Sequence, residues 1–217
     1  MIALPFKSNS AVILSGCTGA GKTQWVYKLL RQSDIMFEVP PSAVLYCYST
    51  YQTIFDEMQL QVPNITFHQG LPSSADITHL AASGSHSILV LDDLAEETIQ
   101  SPLMVKMFTT NCHHMGITTL FVTQNLFMQG KFARTISLNS HYIVLLKSLR
   151  DLNQISYLGR QLFGKKANTV DESYLDCMRK PYGYLLIDLS PHTDDRFRLR
   201  SEIFPGEYPV IYQPKEV

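Results

Sequence analysis

Charge is sparse and balanced in this chain. Lys and Arg number 18 against 19 Asp and Glu, a net charge of −1, and charged residues make up 17% of the whole. A surface that coats nucleic acid by bulk attraction is therefore disfavoured, whereas a ring that grips its polymer through one or two residues per subunit is not. Cysteine is scarce too. Cys17, Cys47, Cys112 and Cys177 are widely scattered with no CxxC pair, which argues against a disulfide framework and leaves reduced intracellular thiols as the expectation. No apolar run approaches about 18 residues, and residues 1–9 carry no signal or transit pattern, so a soluble protein without membrane attachment is expected. Internal repeats and low-complexity tracts are missing as well.

What is present is hydrophobic residue, 45% of a 217-residue chain. That suits one α/β domain with a large buried sheet and excludes disorder. The expected organisation is a single domain over residues 1–203 followed by a Pro-rich extended arm over 204–217.

The stretch that organises the rest is Gly16-Cys17-Thr18-Gly19-Ala20-Gly21-Lys22-Thr23, a P-loop of the form G-x-x-x-x-G-K-[ST]. The apolar run 11–15 before it reads as a buried strand, and 24–31 after it as a helix. Glycines there allow successive backbone N–H groups to converge on a β-phosphate at the positive end of the helix. Lys22 would reach the β- and γ-phosphates, and the Thr23 hydroxyl would take a place on Mg²⁺. Chance would produce the four fixed positions only on the order of once in a hundred such chains, so ATP binding is the expectation.

The second landmark is Ile88-Leu89-Val90-Leu91-Asp92-Asp93. Four apolar residues running into two carboxylates describe a central strand whose polar tip emerges at the carboxyl edge, where open α/β sheets bind ligands. This is a Walker B arrangement in which Asp92 would hold Mg²⁺. Asp93 is either the base that polarises the attacking water, a helix N-cap, or a second metal-orienting carboxylate. Glu96 and Glu97 stand in reserve for the base. A further strand at 117–123 ends at Gln124, which either senses the γ-phosphate or satisfies a turn.

Strands are also expected at 43–48, 65–67, 141–147, 184–189 and 197–203, the last two as a C-terminal hairpin. Helices are expected from Ser49 to about Met58, and over 76–82, 103–114, 153–163 and 171–179. Asn111-Cys112-His113-His114 invites a metal reading, which fails because no second Cys/His cluster completes a four-ligand site. Two arginines follow strand or loop ends where a guanidinium could cross to a neighbouring subunit's γ-phosphate: Arg150 is the first choice for such a finger and Arg134 the second. Each could instead be an ordinary surface ion pair.

A strand with Thr123-Gln124 at its tip after Asp92-Asp93 is what the additional-strand ATPases need, and no Asn-Lys-x-Asp motif is present to read guanine. Together with the P-loop, Leu91-Asp92-Asp93-Leu94, Val122-Thr123-Gln124-Asn125, Arg134 to Asn139 and Tyr142 to Asp151 resemble the FtsK–HerA superfamily. The likeness is to the DNA-packaging ATPases of poxvirus-like large DNA viruses and of Maverick (Polinton) transposons, and it runs from about residue 5 to 188. It implies a homo-oligomeric ring that hydrolyses ATP at subunit interfaces and drives double-stranded DNA into a capsid or portal-like partner, in the host nucleus or cytoplasm. On this likeness Lys22 and Thr23 hold phosphate and Mg²⁺, Asp92 is the Walker B carboxylate, Asp93 stands at the catalytic acid's position and Gln124 is the sensor. Asp93 departs from the Glu of bacterial members. Two other readings are a nucleoside or nucleotide kinase, for which 159–166 has a lid-like look, and a non-hydrolysing assembly subunit.

Overall fold

The computed structural model describes residues 5–111, 114–148, 150 and 152–214. A nine-stranded sheet runs through the chain in the order β3-β2-β4-β5-β1-β6-β7-β8-β9. Its strands are β1 (Ala11–Ser15), β2 (Val44–Tyr48), β3 (Ile65–Gln69), β4 (Ser87–Asp92), β5 (Ile117–Thr123), β6 (Tyr142–Leu146), β7 (Tyr184–Asp188), β8 (Leu199–Ser201) and β9 (Val210–Tyr212). The first six in sequence pair in parallel, and the last three attach antiparallel. The expected α/β class with a C-terminal hairpin is thus present, and β5 lies between β4 and β1 as an additional strand.

Both faces of the sheet are covered, which is why its central strands read as unbroken apolar runs rather than alternating ones. Val12 and Leu14 of β1, Ile88 and Val90 of β4 and Leu120 and Val122 of β5 face one core. That core is closed by α1 (Lys22–Arg31), α2 (Ser33–Met36) and α3 (Ile54–Gln61). Ile13, Leu89, Leu91 and Phe121 face the other. There the cover is α4 (Ser74–Ala82), α5 (Ala95–Thr98), α6 (Pro102–Lys106), α7 (Ala133–Leu138), α8 (Leu152–Phe163) and α9 (Asn168–Cys177). The period of two along each strand sends alternate side chains to opposite layers.

Several boundaries differ from the expectations for physical reasons. Ser49-Thr50-Tyr51 does not open a helix: Ser49 N–H donates to Asp92 O at 3.3 Å, which keeps the chain extended past β2, and α3 starts only at Ile54. The helix beginning at Pro102 changes after Lys106 into a π-helical turn, Met107–Asn111; Cys112 and His113 lie outside the described residues. The 159–166 segment is the last part of α8 and a 3₁₀ turn, Gly164–Lys166, that leads into α9. Gly159 lies buried inside α8, and a Cβ there would come within 2.8 Å of Ala167 O, so glycine permits the tight approach of the segment leading into α9. Residues 204–214 contribute a buried Phe204 and β9, which extends the sheet. At the other end Phe6 packs edge-on against Trp25 and Tyr142 within the chain.

Candidate active site

The P-loop is hung between two strand tails. Gly16 N–H donates to Thr123 O at 3.3 Å and Cys17 N–H to Lys147 O at 3.2 Å, so the loop leaves β1 with its neighbours β5 and β6 holding its base. A Cβ at Gly16 would sit 2.8 Å from the Leu146 Cβ, closer than packed carbons allow, and glycine is the residue that fits. Gly21 ends the loop at φ +95°, a left-handed conformation that glycine takes without strain. Helix α1 starts immediately after it, and the first-turn amides have no intrahelical acceptor. They carry the positive end of the helix dipole toward whatever the loop encloses.

Lys22 folds back over the loop, donating from Nζ to Gly16 O at 2.8 Å and Cys17 O at 3.1 Å. Burial pushes its pKa below the ordinary lysine value, while Asp92, Cys17 and Asp93 pull it back up. Across from it Asp92 closes β4 at 4% exposure. Burial raises its carboxyl above the usual range; a hydrogen bond from Tyr46 opposes this, the nearby Asp93 adds to the rise, and Lys22 and a hydrogen bond from Thr23 oppose it again. The Tyr46 hydroxyl donates to Asp92 Oδ2 at 2.7 Å. A buried carboxylate and a nearby threonine hydroxyl are hard oxygen donors of the kind Mg²⁺ takes alongside phosphate and water. The donor set fits that ion.

Asp93 is exposed and sits at φ +55°, a conformation aspartate tolerates better than most residues. It does not cap α5, whose N-cap is Leu94 with no side-chain bond; instead its Oδ2 accepts from Ser49 Oγ at 3.3 Å. At the tip of β5 the turn is satisfied by Thr123, whose hydroxyl donates to Asn125 O at 3.2 Å and accepts from Asn125 N–H at 3.3 Å. Gln124 is left exposed beside the loop.

These pieces share one cleft of about 550 Å³. Thr18, Gly19, Gly21, Lys22 and Thr23 line it from one side, Asp92, Asp93 and Gln124 from the other. Glu96 and Glu97 line a neighbouring hollow of about 700 Å³, into which Asp93 and Gln124 also face. Arg134, exposed on α7, and Arg150, exposed beyond the end of β6, line neither; Asp151 lies outside the described residues. Cys17 is exposed on the loop and Ala20 is buried under it.

Tyr46 and Ser49 escape a reading of the sequence. One is a core aromatic in an apolar strand and the other a polar residue in a turn. Only the β2–β4 pairing, with Tyr48 opposite Asp92, brings both to the carboxylates. The nearest signal was that β2 ends in polar residues at the same edge as Asp92.

No protein-family profile matches the chain, and none of the curated proteins does. Solved structures similar in shape include two viral enzymes. The DNA-packaging ATPase B204 of Sulfolobus turreted icosahedral virus superposes with a TM-score of 0.58 at 13% identity, covering 97% of this chain and 100% of its own. The genome packaging NTPase B204 of Sulfolobus turreted icosahedral virus 2, solved in complex with ATP-gammaS, gives 0.51 at 14% identity over 94% of this chain and 97% of its own. The likeness shows the fold: an α/β P-loop NTPase whose mostly parallel sheet inserts a strand between the phosphate-loop strand and the carboxylate strand.

Proposed function

We propose that the chain is an ATP-hydrolysing motor that moves double-stranded DNA into a viral or virus-like capsid, working as a homo-oligomeric ring. The observation that carries this reading is Gln124 at the tip of the inserted strand β5, lining the same cleft as Lys22 and Asp92. That arrangement belongs to ATPases that test for a third phosphate, and the two viral packaging enzymes of the same fold support the choice of task. Within that class the Asp92-Asp93, Thr123-Gln124-Asn125 and Arg134-to-Asn139 series favours the FtsK–HerA superfamily and its poxvirus-like and Maverick members. The site of action would then be the host nucleus or cytoplasm, with a capsid or portal-like protein as partner.

In this reading the P-loop amides and Lys22 take the β- and γ-phosphates. Thr23 and Asp92 would hold Mg²⁺, which would supply charge neutralisation for the phosphates. Gln124 orients a water in line with the γ-phosphorus, and Asp93 accepts its proton as the water oxygen bonds to phosphorus and ADP leaves. Arg150, or Arg134, reaches a neighbouring subunit's γ-phosphate.

Purified protein assayed with and without double-stranded DNA tests this directly. DNA should raise the ATPase rate and the assembled mass, and Lys22→Ala should remove most turnover, on the order of a hundredfold, while the melting curve stays cooperative. Turnover unchanged in Lys22→Ala would overturn the phosphate assignment. A phosphorylated nucleoside product without DNA would make the protein a kinase, and tight ATP binding with no turnover would make it an assembly subunit.

A further inference from the structure

Beside the phosphate cleft lies a second hollow of about 710 Å³, walled by α1, the turn before β7 and the segment after β8. Gly21, Gln24 and Tyr182 line both spaces, which therefore adjoin across the start of α1. A nucleotide with its β- and γ-phosphates on the P-loop has room to send its nucleoside past that start. The ring standing at the junction is Tyr182: a Cβ built on Gly21 would come within 2.8 Å of its Cδ1, yet the tyrosine is 71% exposed.

The backbone of Tyr182 breaks a local rule. In the turn Lys180–Gly183, Gly183 N–H donates to Lys180 O at 3.1 Å, Pro181 is second and Tyr182 third, with φ +57°. This is the pattern of a type II turn, whose third position takes glycine or asparagine because a left-handed φ presses Cβ against the following carbonyl. A bulky aromatic there is an outlier. Being mostly exposed, it gains little burial in return, and strain of this kind collects at ligand clamps. Deeper in the hollow Trp25 supplies an apolar wall, and Glu57 and Glu207 supply acceptors. Glu207 is already engaged by Lys28, the Tyr184 hydroxyl at 3.1 Å and the Phe204 N–H at 3.2 Å, whereas Glu57 accepts from the Tyr27 hydroxyl at 2.9 Å and has capacity left for an amino or hydroxyl donor.

We propose that this hollow is the nucleoside subsite: the base of a purine nucleoside triphosphate stacks on Tyr182 and its ribose passes Gln24. The inference rests on the phosphate reading of the first cleft. The chain has a single tryptophan, and Trp25 in the wall of the hollow reports on its occupancy. Full-length protein with Mg²⁺ is titrated with ATPγS and with inorganic tripolyphosphate, following Trp25 fluorescence and heat of binding. Tyr182→Ala should weaken ATPγS at least about fivefold and leave tripolyphosphate within about twofold, because tripolyphosphate has no base to stack. Tyr182→Phe should keep wild-type affinity. Tyr182→Gly should bind ATPγS as weakly as the alanine variant while melting at a higher temperature than wild type, since the turn is relieved; this separates lost stacking from lost folding. Equal ATPγS affinity in Tyr182→Ala and wild type, with tripolyphosphate still bound, overturns the subsite alone. Failure of the wild-type protein to bind either probe overturns the phosphate reading and the subsite with it.

Discussion

His86 has no exposed surface. Its Nδ1 lies 2.6 Å from Val39 O and its Nε2 2.9 Å from the Thr118 hydroxyl. A carbonyl can only accept, so Nδ1 carries the proton and Nε2 takes the threonine's, the pattern of a neutral ring. Burial holds the pKa below the ordinary histidine value, with the bond to Val39 opposing. The unfolded chain therefore binds a proton near pH 6.5 that the folded one refuses until lower pH. Stability from this residue is complete above that point and falls as pH drops through it, with a slope of up to about 1.4 kcal/mol per pH unit. Urea midpoints between pH 7 and 5 should decline more steeply for the wild type than for His86→Asn; parallel slopes would sink the idea.

At the scale of elements, β7 and β8 are joined by more than their ladder. Arg200 Nη2 donates to Asp188 Oδ2 at 2.8 Å with both side chains 5% exposed, and Asp188 Oδ1 accepts from Ser190 N–H at 3.0 Å. Two buried charges pair here, and removing one strands its partner without water. Arg200→Met should cost about 3–5 kcal/mol, and Arg200→Met with Asp188→Leu should recover much of that loss, since an apolar pair has no charge left to desolvate. Chemical denaturation of the two variants measures it; a single-variant cost under about 1 kcal/mol would mean the pair is idle. The strand β5 matters in another way. Parallel pairing to β4 and β1, with Asp92 opposite Val122 and Ser15 opposite Thr123, sets Gln124 one residue beyond the edge at which Asp92 and the P-loop emerge.

For the whole molecule, neither Arg150 nor Arg134 lines its own chain's phosphate cleft; in the proposed ring, a finger would act on a neighbour's. Arg150→Ala should bind ATP normally and hydrolyse it about a thousandfold more slowly. Mixed with Lys22→Ala, it should regain part of the rate, because mixed interfaces pair an intact P-loop with an intact arginine. A rate that stays flat at every mixing ratio would move the role elsewhere, with Arg134 next to be tried.

Much of this protein could be read before any coordinate. The P-loop follows from spacing within eight residues, and the acidic tip of β4 from four apolar residues followed by Asp92-Asp93; both are local patterns, governed by backbone freedom and by the period of side chains along a strand. Ser49 shows where such reading stops. Its neighbours look like a helix start, and what keeps it extended is a bond to Asp92 O, 43 positions on. Strand order, the Tyr46 bond to Asp92 and the meeting of Tyr182 with Gly21 depend on contacts between segments far apart in the chain. Closing such long loops is decided by the summed packing of the whole sheet, and no short window of residues carries that sum. By itself the sequence determined that a phosphate-loop motif and a strand ending in paired carboxylates exist; only the tertiary structure decided that Gln124, Tyr46 and Tyr182 lie around them.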